Sequence, residues 1–293
     1  MGSNSPGKAN EVKVFGKANE VNQNNTRKNK PKQCHPRVKN AENGCLPVNV
    51  LEKAAKKLGI VREGNILEKV AKAVNVDPEN QNSMLKALPL SDNEKANLAK
   101  RWLRPERPSS WKTDPDMWLD TVNIRDVMTQ YEESHPNFKF LGAVPIDFAA
   151  RDPYAKKKQC LINEICELDI DGDSMKGKDY VGFVFNLDPH YKGGSHWVAS
   201  FLDIPKKQYY YFDSYGMRPP PQIYKFMQWL TIQEPELVLK MNARRFQRKE
   251  SECGMFCIDF IVCMLEGESF EHYCRRTPSD REMLLKRKEV FSS

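Results

Sequence analysis

At 293 residues the chain is long enough for one large or two ordinary domains, each able to bury a core without disulfide staples. With 40% hydrophobic and 29% charged residues, and 19 Pro against 15 Gly, it is neither collagen-like nor uniformly disordered. No run approaches the roughly 20 apolar residues that cross a bilayer, and the first 30 residues hold no apolar secretory core, so a soluble intracellular protein without membrane contact is expected.

The net charge of +7 is uneven: residues 1–50 carry nine Lys/Arg against three Glu, which leaves almost no net charge for the rest. The same stretch is poor in large apolar side chains and contains the near-repeat Gly7-Lys8-Ala9-Asn10-Glu11-Val12 and Gly16-Lys17-Ala18-Asn19-Glu20-Val21. It cannot bury enough surface to offset its ordering entropy, so residues 1–45 read as a disordered basic arm. The arm either solubilises the protein or grips a polyanion such as nucleic acid through salt-sensitive contacts. Eight cysteines stand at 34, 45, 160, 166, 253, 257, 263 and 274, and without a secretory signal they are expected to be reduced thiols. Cys34-His35 and Cys45 have no CxxC pair and no second His near by, so no metal is expected.

From Leu46 the pattern turns helical. Leu51, Ala54, Ala55 and Leu58, then Leu67, Val70, Ala71 and Val74, predict two short amphipathic helices punctuated by Gly59 and Gly64. Ser91 and Glu94 have capping-box spacing for a third that runs to Leu103, where Arg104-Pro105 stops it. Residues 46–104 therefore read as a small helical domain and 105–115, with three prolines, as a linker or strap. Residues 116–293 form the main domain. There Trp118 to Tyr131 suits a helix, Phe138–Leu141 extended chain, and Tyr180–Leu187 a strand with one buried face. His196–Leu202 and Gln208–Phe212 continue an antiparallel meander. Pro219-Pro220-Pro221 opens a helix, Leu237–Leu239 begins a strand continuing toward Gln247, and Cys253, Phe256, Cys257, Phe260, Ile261 and Met264 mark one stripe of a buried helix. The class is α+β, with a mixed or antiparallel sheet packed on helices.

Cys253 opens that last helix, where the dipole favours a thiolate, and is followed by Gly254. A thiolate nucleophile needs an imidazole to move its proton and an acid to orient the imidazole. His196 starts one strand and Asp213 ends its hairpin partner, so an antiparallel return brings them to one sheet edge. Gln247, six residues before the thiol, places an amide donor where it and the Cys253 N–H can hold an oxyanion. Each residue alone has an ordinary structural role; their conjunction predicts a His196, Asp213, Cys253 triad with Gln247 in the oxyanion hole. Cys257, one turn on, reads as core.

His196-Trp197, Asp213-Ser214 and Gln247-x5-Cys253-Gly254, in that order, resemble the Ulp/SENP-type cysteine proteases that process ubiquitin-like proteins. That resemblance implies a papain-like or adenain-like fold over about 115–293 and no metal or organic cofactor. Trp118-Leu119 resembles the family's early Trp-Leu element, so Trp118 and Trp197 are implied to line a narrow substrate cleft admitting Gly-Gly; the family's Asp three places after that Trp is here Asp120, two places after. Tyr131-Glu132, Pro136–Phe140 and Pro145–Phe148 are similar to maturation proteases of large cytoplasmic DNA viruses, the African swine fever virus polyprotein protease included. The implied activity is endopeptidase cleavage after Gly-Gly-type sites in viral structural or core polyproteins, in the virion or host cytoplasm. The rivals are an isopeptidase acting on SUMO or ubiquitin-like modifiers, an acyltransferase, for which no basic phosphate cradle is visible, and a non-catalytic virion or nucleic-acid-binding protein acting through its tail.

Overall fold

The computed structural model describes residues 13–15, 33–39, 44–61, 64–153, 155 and 159–292. They fall into two compact units, one of 136–280 with the segment at 13–15, the other of 33–135 with 281–292.

In the second unit, α1 (Val48–Lys57), α2 (Ile66–Ala73), α3 (Gln81–Ala87) and α4 (Asp92–Trp102) enclose Leu51, Ala54, Val70, Ala71, Met84 and Leu85. Ser91 and Glu94 form the predicted capping box. The sequence pattern misses α3, whose seven residues bury Gln81 and Asn82 as well as Met84 and Leu85; its start is fixed by Asn80, whose side chain accepts the Ser83 N–H. α5 (Thr121–Ser134) begins three residues after Trp118, because the Asp120 carboxylate caps it by accepting the Asn123 N–H at 2.8 Å.

The first unit is built on a mixed six-stranded sheet of order β1-β6-β5-β4-β3-β2. Its strands are β1 (Lys13–Phe15), β2 (Phe138–Pro145), β3 (Tyr180–Asn186), β4 (Trp197–Asp203), β5 (Gln208–Phe212) and β6 (Val238–Asn242). β3, β4 and β5 form the expected antiparallel meander, while β2 on β3, β6 on β5 and β1 on β6 are parallel. The short α6 (Asn163–Cys166) precedes β3; α7 (Pro221–Gln233) covers one sheet face, with Phe226 edge-on to Phe183 at 5.4 Å. α8 (Cys253–Leu265) and α9 (Phe270–Arg276) cover the other, with Phe212 stacked on Phe260 and Tyr210 on Phe270, each at 4.9 Å. β3 is therefore buried on both faces, not on the one its alternation suggests. Each fully buried phenylalanine in these layers contributes on the order of 2–3 kcal/mol of apolar transfer energy.

The domain boundaries differ from those expected. α10 (Asp280–Val290) belongs almost wholly to the helical unit: Arg287 donates to the Met117 carbonyl at 2.7 Å and lies 4.7 Å from the Trp111 ring, which meets Phe291 edge-on at 4.9 Å. The segment 105–115 is thus part of that unit rather than a linker, with the Ser292 N–H bonded to the Pro105 carbonyl at 2.8 Å. Of the expected arm, 1–12, 16–32 and 40–43 lie outside the described residues, and any polyanion contact made there lies outside them too. Residues 33–39 and 44–45 are not arm. The Arg104 N–H donates to the Gln33 carbonyl at 2.7 Å, Cys34 bridges to Leu103, and a Cys34–Cys45 disulfide closes the loop. The expectation of all-reduced thiols is corrected accordingly: Cys34 pairs with Cys45 and Cys160 with Cys166, partners close in sequence, and Cys253, Cys257, Cys263 and Cys274 are free.

Gly182 sits at the centre of β3, where an added Cβ would come within 2.8 Å of the Phe138 ring. Gly182→Ala is expected to cost about 1–3 kcal/mol by overpacking, read as a lower denaturant midpoint at unchanged m-value. An unmoved midpoint would mean that the Phe138 ring gives way freely.

Candidate active site

β4 begins one residue after His196 and β5 ends one residue before Asp213. The antiparallel register, with Ala199 opposite Phe212, therefore carries both side chains to the same edge, where His196 Nε2 and Asp213 Oδ1 are 2.7 Å apart. Both are buried, His196 at 8% exposure and Asp213 at 1%. The approach to His196 is tight. A Cβ on Gly194 would lie 1.9 Å from Asn186 Nδ2, so any other residue there must displace the Asn186 side chain, and the His196 carbonyl is fixed by the Leu187 N–H at 2.9 Å.

Asp213 is clamped by Asn242, the last residue of β6. Asn242 Oδ1 accepts the Asp213 N–H at 2.9 Å and its Nδ2 donates to the Asp213 carbonyl at 2.7 Å. The chain then turns sharply: the Gly216 N–H donates to the Asp213 carbonyl at 2.8 Å, at a φ of +72° and with Arg244 backbone where a side chain would stand. Within that turn the Tyr215 N–H donates to Asp213 Oδ1 at 2.8 Å, and the Tyr215 ring stacks on His196 at 4.5 Å.

The turn also places Gln247. The Ser214 carbonyl accepts both the Phe246 N–H at 2.7 Å and the Gln247 N–H at 2.9 Å, so Gln247 lies in a loop past β6, not at the end of the strand as expected. These loop bonds draw the chain away from the ladder after Asn242. Ser214 Oγ donates to Gln247 Oε1 at 2.7 Å, which orients the amide and leaves Nε2 buried without a partner among the described residues. A buried N–H₂ with nothing to donate to is costly in a folded protein unless a ligand supplies the acceptor.

Cys253 is the first residue of α8, 1% exposed, and no side chain caps that helix, so its first amides are free to donate. The thiol is within hydrogen-bonding reach of His196. Burial opposes the imidazolium, but the hydrogen bonds to Asp213 and to Cys253, together with their negative charge, outweigh it and lift the His196 pKa to about 9. Cys257, one turn along, is driven the other way: burial pushes its thiol well above the ordinary range, which suits the core role read from the sequence.

The structure thus brings His196 to Asp213 and Cys253, and fixes Gln247 on Ser214, the residue that follows Asp213. Trp197 begins β4 beside them, only 5% exposed, and Trp118 belongs to the helical unit, where it is 42% exposed. Asp120 serves as the cap of α5. Sequence reasoning quoted Ser214 in its motif without giving it a role and missed Asn242, Tyr215 and Arg245, the last donating through Nε to the Gln247 carbonyl at 2.8 Å. Ser214 and Tyr215 directly follow the acid and could have been flagged by that adjacency; Asn242 and Arg245 carry no local signal. Among the described residues no group of His, Cys, Asp and Glu could hold a metal ion.

Residues 151–291 match the C-terminal catalytic domain of the Ulp1 protease family. A mimivirus protein from Acanthamoeba polyphaga mimivirus, described as a thiol protease, is 36% identical over 174 residues, covering 57% of this chain and 54% of that protein. The SUMO-1 cysteine protease of African swine fever virus is 32% identical over 117 residues, covering 38% and 43%. The chain spans about half the length of the curated relatives it matches. The crystal structure of the African swine fever virus pS273R protease superposes with a TM-score of 0.60 at 20% identity, covering 89% of this chain and 96% of that one, which establishes a shared fold. No helix among the described residues is long and apolar enough to cross a membrane. Residues 151–291 are thus similar to the C-terminal catalytic domain of the Ulp1 protease family, and the chain shares the fold of the African swine fever virus protease.

Proposed function

We propose that the chain is a cysteine endopeptidase that cuts after Gly-Gly-type sites and matures viral structural or core polyproteins, in the virion or the host cytoplasm. The observation that carries this reading is the His196 ring, bonded through Nε2 to Asp213 at 2.7 Å with its other nitrogen left for the Cys253 thiol. The Cys253 thiolate attacks the carbonyl of the glycine, and the developing oxyanion accepts from Gln247 Nε2 and the Cys253 N–H. The His196 imidazolium, oriented by Asp213, protonates the leaving amine. It then takes a proton from water as the thioester is hydrolysed. Trp197, next to His196, forms one wall of the substrate passage, a flat indole that suits residues without side chains.

A second reading has its own support, since one relative is named a SUMO-1 cysteine protease: the scissile glycine could sit on a folded modifier. Incubation with Gly-Gly-X peptides and, separately, with folded ubiquitin-like precursors decides between them by mass spectrometry. Cutting of short peptides supports the endopeptidase, cutting only of folded precursors the isopeptidase, and cutting of neither overturns both.

Cys253→Ala is expected to abolish turnover with the fold intact, and Asp213→Asn to lower kcat by about 1,000- to 10,000-fold. Gln247→Ala removes the orphaned donor and should lower kcat about 100- to 1,000-fold with KM little changed; an equal loss in KM would assign Gln247 to ground-state binding instead. Because His196 must be protonated to expel the amine, kcat/KM should fall as pH rises through about 9, and Asp213→Asn should move that limb to lower pH. A limb unmoved by that variant would remove Asp213 from the mechanism.

A further inference from the structure

The six residues 244–249 around Gln247 hold four cations, Arg244, Arg245, Arg248 and Lys249, and none of them makes an ion pair with a described residue. Arg244 is turned aside, its guanidinium donating to the Arg275 carbonyl at 3.3 Å. Arg248 and Lys249 are exposed, and no side-chain bond to a described residue fixes either.

Arg245 is different. Its side chain is exposed yet fixed at two points: Nε donates to the Gln247 carbonyl at 2.8 Å, and the guanidinium lies 5.0 Å from the centre of the Tyr215 ring. That ring is the one stacked on His196 at 4.5 Å. Arg245 therefore stands one aromatic ring from the general base and one main-chain bond from the oxyanion amide. Its terminal nitrogens make no bond to a described residue. The other charges felt at Tyr215 are the Cys253 thiolate, the exposed Glu250 and the buried Asp213.

An exposed arginine ordinarily loses rotamer freedom when it captures a ligand; this one has already lost it, and its remaining N–H groups present the planar fork that matches a carboxylate. We propose that Arg245 is a specificity-determining residue, selecting substrates that carry an Asp or Glu side chain beside the scissile glycine. The proposal rests on the endopeptidase reading and adds the chemistry of the preferred substrate to it.

The test uses the full chain and matched Gly-Gly-X peptides with Glu or Gln at each position flanking the scissile bond. The ratio of kcat/KM for Glu over Gln should reach about fivefold at one flank, the size an exposed ion pair delivers. It should fall toward unity in Arg245→Ala, invert in Arg245→Glu and survive in part in Arg245→Lys. A purely structural role would slow both peptides alike and leave the ratio unmoved, and that result overturns the proposal. The parent needs no variant for a further check: its ratio should collapse near 1 M salt, where the screening length is about 3 Å. Alkylation of Cys253 by iodoacetate relative to iodoacetamide separates this inference from the activity itself. A higher acetate-to-amide ratio in the parent than in Arg245→Ala sustains an anion-selecting Arg245 even if no peptide is cut, whereas equal ratios overturn it.

Discussion

The buried hydrogen bond between His196 and Asp213 is the constraint around which the sheet-bearing unit is arranged. A carboxylate 1% exposed is tolerable only if it is paired, and Asp213 Oδ1 meets this need with the imidazole and the Tyr215 amide while Oδ2 is buried without a partner. The same negative charge raises the affinity of His196 for its proton and outweighs the opposing effect of the imidazole's own burial.

Three chain segments converge to hold that bond. The β4–β5 hairpin supplies its two ends, Asn242 at the end of β6 clips the backbone of Asp213, and the turn through Gly216 docks on residue 244. The turn then passes geometry on to Gln247 through Ser214, whose carbonyl and hydroxyl fix its main chain and amide. One four-residue turn thus sets Asp213, the Tyr215 ring stacked on His196 and the orientation of the Gln247 amide. The thiol arrives separately, on the first residue of a helix whose buried stripe anchors it to the underside of β4 and β3.

Much of this was legible in the sequence. The aromatic run Tyr209–Phe212 and the stripe from Cys253 to Met264 specify one strand and one helix, and the order His196, Asp213, Gln247, Cys253 points to the candidate site. What escaped was set by contacts between segments far apart in the chain. Gln247 leaves the strand pattern because Ser214, 33 residues earlier, captures its backbone and side chain. Asn242 looks like an ordinary strand end until Asp213 is placed beside it. The boundary expected near residue 116 failed for the same reason: Arg287 and Phe291 pack on Trp111 and the carbonyls around Met117, a union between chain segments some 170 residues apart that local periodicity does not encode. The Cys34–Cys45 pair likewise depends on the docking of Gln33 and Cys34 against residues 103–104.

The central claim is that Cys253 forms the covalent bond to the acyl group of the substrate. Acid-quenching the enzyme during turnover of a Gly-Gly ester, then locating the adduct by peptide mass spectrometry, tests it most directly. The account predicts a thioester on Cys253 bearing the Gly-Gly acyl portion, removed by hydroxylamine and accumulating when Asp213→Asn slows hydrolysis. Product formation with no adduct at Cys253, or an adduct that maps to Cys257, Cys263 or Cys274 instead, would contradict it.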